Sequence, residues 1–167
     1  VEAESTYVLG DNDSKVNGRR IATQEAQRKA LDLAGTYVAS ITQVKEYRLT
    51  RDEIIAYTAG IVETQIIADE TRGTLDHPEL HIRARCTVDT DILFKQIDRY
   101  RESEELREQL ETAAKEKEML RKERDSLLKQ ISAEQDKAKA GETQRKLDVV
   151  LTGEESIDDT TRAWVKL

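Results

Sequence analysis

The sequence is poor in the residues that usually anchor a reaction or a covalent framework. Among its 167 residues are one Cys, one Pro, one Met, one Trp and one Phe, and aromatic side chains make up 4%. A single cysteine excludes an internal disulfide and any cysteine-paired zinc site. No run approaches the roughly 18 apolar residues that a membrane-spanning helix needs. Neither a G-x-x-x-x-G-K phosphate loop nor a G-x-S-x-G nucleophile elbow is present. An excess of cationic charge is also missing, since 27 Lys and Arg face 34 Asp and Glu for a formal charge of −7. Nucleic-acid affinity comes mainly from cations that neutralise phosphates, so this balance argues against such a partner. Apolar content of 37% is thin for one compact globule of this length and points to an ordinary domain plus something extended.

Charge density then divides what is there. Residues 1–91 and 149–167 are moderately charged and acidic, whereas in 92–148 about half of all residues are charged and the two signs balance. Dense balanced charge at helical spacing is the mark of a long solvated helix. The boundary falls near Asp91.

The first segment reads as a small α+β domain, 1–91. Ser5 to Leu9 is strand-like and ends in the turn formers Gly10-Asp11-Asn12-Asp13-Ser14. From Val16 the period becomes helical, with Ala22, Ala26, Ala30, Leu33, Ala34, Tyr37, Val38 and Ile41 on one stripe. The alanines at its start let this helix approach a sheet closely. Gln43 to Leu49 is a second strand candidate. Thr50 and Glu53 match a capping box that opens a short helix through Ile54 and Ile55, stopped by Gly60. Ile61 to Asp69 and Leu80 to Asp89 follow, and in the latter Leu80, Ile82, Ala84, Cys86 and Val88 alternate with polar residues. The connection between them is too short for a helical crossover, so they pair antiparallel. The expected order is β-α-β-(α)-β-β, with the long helix packed on a small antiparallel sheet.

From Ile92 the helical period resumes without proline, and the reading is one long charged helix over 92–141, ended by Gly141. Leu106, Ala113, Leu120 and Leu127 fall seven apart, with Leu110 and Ile131 at the companion position of the heptad. Lys117 and Arg124 occupy that companion position too and weaken the seam. Leu93, Ile97 and Tyr100 follow another phase and are expected to pack on the α+β domain. Leu106, Leu110, Leu120, Leu127 and Ile131 are therefore the candidate contact residues, toward a second copy of the chain or a protein partner. Residues 142–167 read as a linker with a Gly-Glu-Glu turn and the start of a further helical region. There Asp159 is a candidate N-cap, and Trp164 and Leu167 have the W-x-x-L spacing that opens a tetratricopeptide repeat. An apolar end in mid-pattern fits a longer parent chain, and an amphipathic terminal helix explains the same residues.

Residues 1–91 resemble the N-terminal domain of the bacterial flagellar assembly protein T and related small envelope lipoproteins. The likeness is carried by the polar turn after strand one, by Arg20-Ile21-Ala22-Thr23-Gln24-Glu25-Ala26-Gln27-Arg28-Lys29-Ala30 leading into Leu31-Asp32-Leu33-Ala34-Gly35, by Ile54 to Gly60 before Ile61-Val62-Glu63, and by the alternating strand at Leu80–Asp89. It implies a periplasmic or secreted protein with a non-enzymatic part in building envelope structures. Those lipoproteins carry an acylated cysteine at their mature N-terminus, where this sequence has Val1. The long charged helix has no counterpart in the flagellar protein. An intracellular, cytoplasmic coiled-coil adaptor is the alternative setting for the same helix.

One local cluster has metal-ligand chemistry. If Asp76 to His81 is extended, His77, Glu79 and His81 share a face and offer two imidazoles and a carboxylate to a divalent ion. The plainer alternative is a solvated hairpin tip. Asp11-Asn12-Asp13 is not a calcium loop, because Lys15 and Ala22 stand where ligands belong. Arg83, Arg85, Arg28 and Lys29 form a basic strip on one reading, and ordinary ion pairs with neighbours such as Glu63 and Asp89 on another. Cys86 has the wrong parity to meet either His as a nucleophile pair. The sequence thus points to a non-enzymatic interaction module without a cofactor, with a small-ligand or metal-binding accessory domain as the alternative.

Overall fold

The computed structural model describes residues 1–44, 54, 57–59 and 61–166. Strand β1 (Glu2–Val8) leads through the polar turn into helix α1 (Lys15–Val44); β2 (Thr64–Gly73) and β3 (Pro78–Cys86) complete the sheet. The fold is α+β: the sheet has three antiparallel strands in the order β1-β3-β2, with β3 in the middle. The connection between β2 and β3 is tight because Gly73 adopts φ 85°, with the His77 carbonyl lying where a Cβ would stand. In β2 the register shifts between Ile66 and Ala68, a bulge that interrupts an otherwise continuous edge.

Alternation decides which face of β3 is covered. Leu80, Ile82, Ala84 and Cys86 are fully buried under α1. The α1 stripe begins with Ala22, Ala26, Ala30 and Ala34, all fully buried, and continues in Val38 and Ala39. Small side chains let the helix axis come close to the sheet; at Gly18 an added Cβ would stand 2.9 Å from Leu9 Cδ2 and 3.0 Å from the Tyr7 ring. Each large apolar side chain buried here contributes about 1.5–3 kcal/mol of transfer free energy. Ser14 opens α1, its hydroxyl accepting from the Asn17 amide at 3.4 Å. The second strand candidate does not form as read at its start, since residues 43 and 44 close α1; its remainder, Tyr47 and its neighbours, lies outside the described residues, as do Thr50, Glu53, Ile55 and Gly60. Ile54 and Tyr57 to Ala59 are helical, with Ile54 and Tyr57 in the main core.

The single helix expected over 92–141 is three. Helix α2 (Thr90–Glu102) is opened by Asp89, whose carboxylate accepts from the Asp91 and Ile92 amides at 3.1 Å each. It buries Leu93, Phe94 and Ile97 in the core of α1 and the sheet. Ser103 breaks the chain and caps α3 (Glu104–Ala133) by accepting from the Leu106 amide at 3.3 Å. After residues 134–136 the chain turns back into α4 (Lys137–Lys166), opened by Asp136 accepting from the Ala138 amide at 2.8 Å. Gly141 therefore does not end a helix, and residues 142–166 are not a linker. The Gly153-Glu154-Glu155 turn and the Asp159 N-cap are likewise corrected, because all four residues lie inside α4. Gly153 serves another purpose, since a Cβ there would stand 3.2 Å from Leu120 Cδ1 on the facing helix.

The α3–α4 hairpin lies on the side of α1 away from the sheet. Ile21 of α1 joins Leu127, Ile131, Leu147, Val150 and Leu151 in a second core. Polar clasps hold the two parts together: Asn12 Nδ2 donates to the Ile131 and Glu134 carbonyls, and Asn17 Nδ2 donates to Gln144 Oε1 at 3.2 Å. Arg20 reaches Asp148, Thr152 and Glu155 along α4. Among the described residues, no helix is long and apolar enough to cross a membrane.

Candidate functional site

The hairpin-tip residues His77, Glu79 and His81 are not brought together. His77 lies in the bend before β3, where its amide donates to Thr74 Oγ1 at 3.2 Å. Glu79 stands opposite Arg72 of β2 and Val8 of β1. His81 is 8% exposed and committed to β1, with Nδ1 3.0 Å from Thr6 Oγ1. Its Nε2 is 3.3 Å from Glu4 Oε2, close enough for an ion pair but not aligned for a hydrogen bond. Parity alone predicted convergence, but in a paired strand each side chain meets its cross-strand neighbours first. No group of three His, Cys, Asp or Glu among the described residues is arranged to hold a metal.

The open face of the sheet pairs charge with charge. Arg85 meets Glu2 at 2.8 Å and Arg83 lies 3.9 Å from Glu4, so both cations have carboxylate partners on β1. Arg28 belongs elsewhere, between Glu25 and Asp32 on α1. Lys29 donates to the Glu4 carbonyl at 3.2 Å. The four cations thus form no strip. Cys86 is buried on the covered face, where burial pushes its thiol above the ordinary value.

The five contact residues of the heptad seam are occupied within the chain. Leu127 and Ile131 are buried against Leu147, Val150 and Leu151 of α4, and Leu120 packs on the same cluster. Leu110 and Leu106 join the main core. At the companion position, Lys117 pairs with Asp158 of α4. Arg124 is buried and reaches three carboxylates: Glu25 of α1 at 3.1 Å, Asp125 at 3.0 Å and Glu154 of α4 at 3.6 Å. Burial opposes its charge, yet Glu154, Asp125 and Glu25 outweigh that and hold the guanidinium above its ordinary value. Burial would raise Glu25 too, but Arg28 and Arg124 hold that carboxyl below the usual range. A cation at a core position read as a defect in the seam; it is the centre of an ionic cluster that joins α1, α3 and α4.

Toward the open end of the hairpin, away from this cluster, α3 and α4 leave a groove of about 560 Å³. Buried Ala113 and half-buried Ile157 and Trp164 form its floor, and the exposed Glu105, Glu108 and Glu116 line its α3 side. Among the described residues no Lys or Arg pairs with these three carboxylates; Glu105 Oε1 accepts only from Gln109 Nε2 at 3.5 Å. The sequence signal for this place was available in Trp164 and in the acidic start of α3, but a repeat motif explained the first and solvation the second.

Comparison with protein-family models, with curated proteins and with solved structures finds no match for this chain.

Proposed function

We propose that this protein is a non-enzymatic interaction module that holds a basic, amphipathic segment of a partner protein in the groove between α3 and α4. The observation that carries the reading is the pairing of an apolar floor, Ala113, Ile157 and Trp164, with three exposed carboxylates on α3, Glu105, Glu108 and Glu116. A helix presenting apolar residues at a spacing of three and four, flanked by Lys or Arg, matches both features. The formal charge of −7 favours the approach of such a segment at low ionic strength. The envelope setting implied by the resemblance of residues 1–91 is the proposed location, with the α+β part serving as the platform for the hairpin.

Trp164 is the sole tryptophan of the chain, so its emission reports on the groove directly. A synthetic helical peptide of Leu and Lys at amphipathic spacing is expected to blue-shift that emission saturably. The Glu105→Lys, Glu108→Lys double variant should weaken the effect about tenfold or more, and added salt should weaken it in the wild type. An acidic peptide of the same apolar pattern binding equally well, or an unchanged curve in the double variant, contradicts the proposal.

A further inference from the structure

Two large apolar side chains of the hairpin stand in solvent, Met119 of α3 at 62% exposure and Val149 of α4 at 71%. Helical spacing places both on the face that holds the α3–α4 groove. On α3 the groove is lined at Glu105, Glu108, Thr112 and Glu116, and Met119 continues that succession of three- and four-residue steps. On α4 the lining runs back from Trp164 through Thr160 to Ser156, and the next two such steps reach Gly153 and Val149. The two helices meet at this level, since a Cβ on Gly153 would stand 3.2 Å from Leu120 Cδ1. The furrow therefore runs on past the groove toward the closed end of the hairpin, flanked by Met119 on one helix and Val149 on the other. From Trp164 to Val149 it spans roughly 22 Å at 1.5 Å of rise per residue, about four helical turns.

We propose that the basic, amphipathic segment held by the groove is a single helix of about four turns, lying along the whole furrow as the third helix of a bundle with α3 and α4. Its apolar stripe covers Met119 and Val149 as well as Trp164. This rests on the reading of the groove given above and fixes the length and stripe of its occupant. The two walls differ in character. On α3 the exposed carboxylates continue past the groove to Glu123, one turn beyond Met119, whereas the α4 wall offers the hydroxyls of Ser156 and Thr160. Lys or Arg therefore belongs on the flank of the partner helix that meets α3. A second copy of this chain matches poorly, because each copy brings the same acidic wall and a formal charge of −7. A segment confined to the groove would leave Met119 and Val149 in water.

The test follows Trp164 emission of the whole chain with three Leu and Lys peptides of equal length and charge. One carries its leucine stripe over about four turns, and in the other two the leucines of one half or the other are replaced by Gln, which keeps the helix propensity. The full stripe is expected to bind about tenfold or more tightly than either half stripe. The double variant Met119→Gln, Val149→Gln should lose most of that advantage while binding the half stripes as the wild type does. Both side chains are exposed and outside the cores, so the variant is expected to fold normally, which circular dichroism checks. Equal affinity of the wild type for full and half stripes, or an unchanged full-stripe affinity in the double variant, overturns the proposal and leaves the groove reading standing. No saturable shift with any of the three peptides overturns the groove reading, and this proposal with it. A dimer of the chain alone that the double variant converts to monomer would give the furrow to a second copy and overturn the proposal too.

Discussion

Glu154 and Glu25 sit around the same guanidinium and respond to acid in opposite directions. Burial pushes the Glu154 carboxyl above the usual range, and Arg124 at 3.6 Å, with Arg121 and Lys117 also on α3, only partly offsets that; Asp158 on α4 adds to the rise. The folded chain therefore holds this proton more tightly than the unfolded chain does. Its contribution favours folding at low pH and becomes unfavourable as pH rises through the folded pKa. Glu25 is held low by Arg28 and Arg124, so its contribution is present above the unfolded pKa and lost as pH falls through the folded value. Glu154→Gln removes the buried charge while keeping the shape, and Glu25 and Asp125 remain to balance Arg124. The variant is expected to melt above the wild type at about pH 8, with the gap closing toward about pH 4, where the wild-type carboxyl is protonated. A variant less stable than the wild type at alkaline pH contradicts this account. Little of this was legible in the sequence: a charged residue at a core heptad position announces a partner, but its partners are 99 residues upstream at Glu25 and across a turn at Glu154.

At the scale of elements, local signals were read well where one element suffices to produce them. The alternation at Leu80–Cys86 and the alanine stripe of α1 are each set by a single period, and the structure shows the antiparallel sheet packed on that helix. The heptad seam in α3 identified the residues that need cover without saying what covers them. The answer depends on a turn at 134–136 that contains neither Gly nor Pro and is marked only by Asp136, one acid within a charged run. Gly153 misled in the same way, since a glycine that makes room for Leu120 looks in sequence like a turn. Because Leu127 and Ile131 pack against Leu147, Val150, Leu151 and Ile21, the hairpin and α1 are expected to unfold together. Leu127→Ala should cost about 2–5 kcal/mol in urea unfolding, through lost transfer energy and the cavity left behind. The loss should appear equally in helical circular dichroism and in Trp164 emission. A stability change below about 0.5 kcal/mol would mean that the seam is not closed by α4.

The whole molecule is built as three layers, with α1 between the sheet and the helical hairpin. Polar clasps at Asn12, Asn17 and Arg20 and the ionic cluster at Arg124 fix the hairpin to the domain along its length. The residues first assigned to contact with a second copy are thereby used within one chain, and what α3 and α4 leave open is the acidic groove at Trp164. The most direct test of this arrangement is the solution mass of the chain by light scattering across a wide range of concentration. A single species at the monomer mass of 19.0 kDa is expected throughout, with Leu127→Glu lowering stability but not mass. A dimer that Leu127→Glu converts to monomer would contradict it, by showing that the seam is closed between chains and not within one.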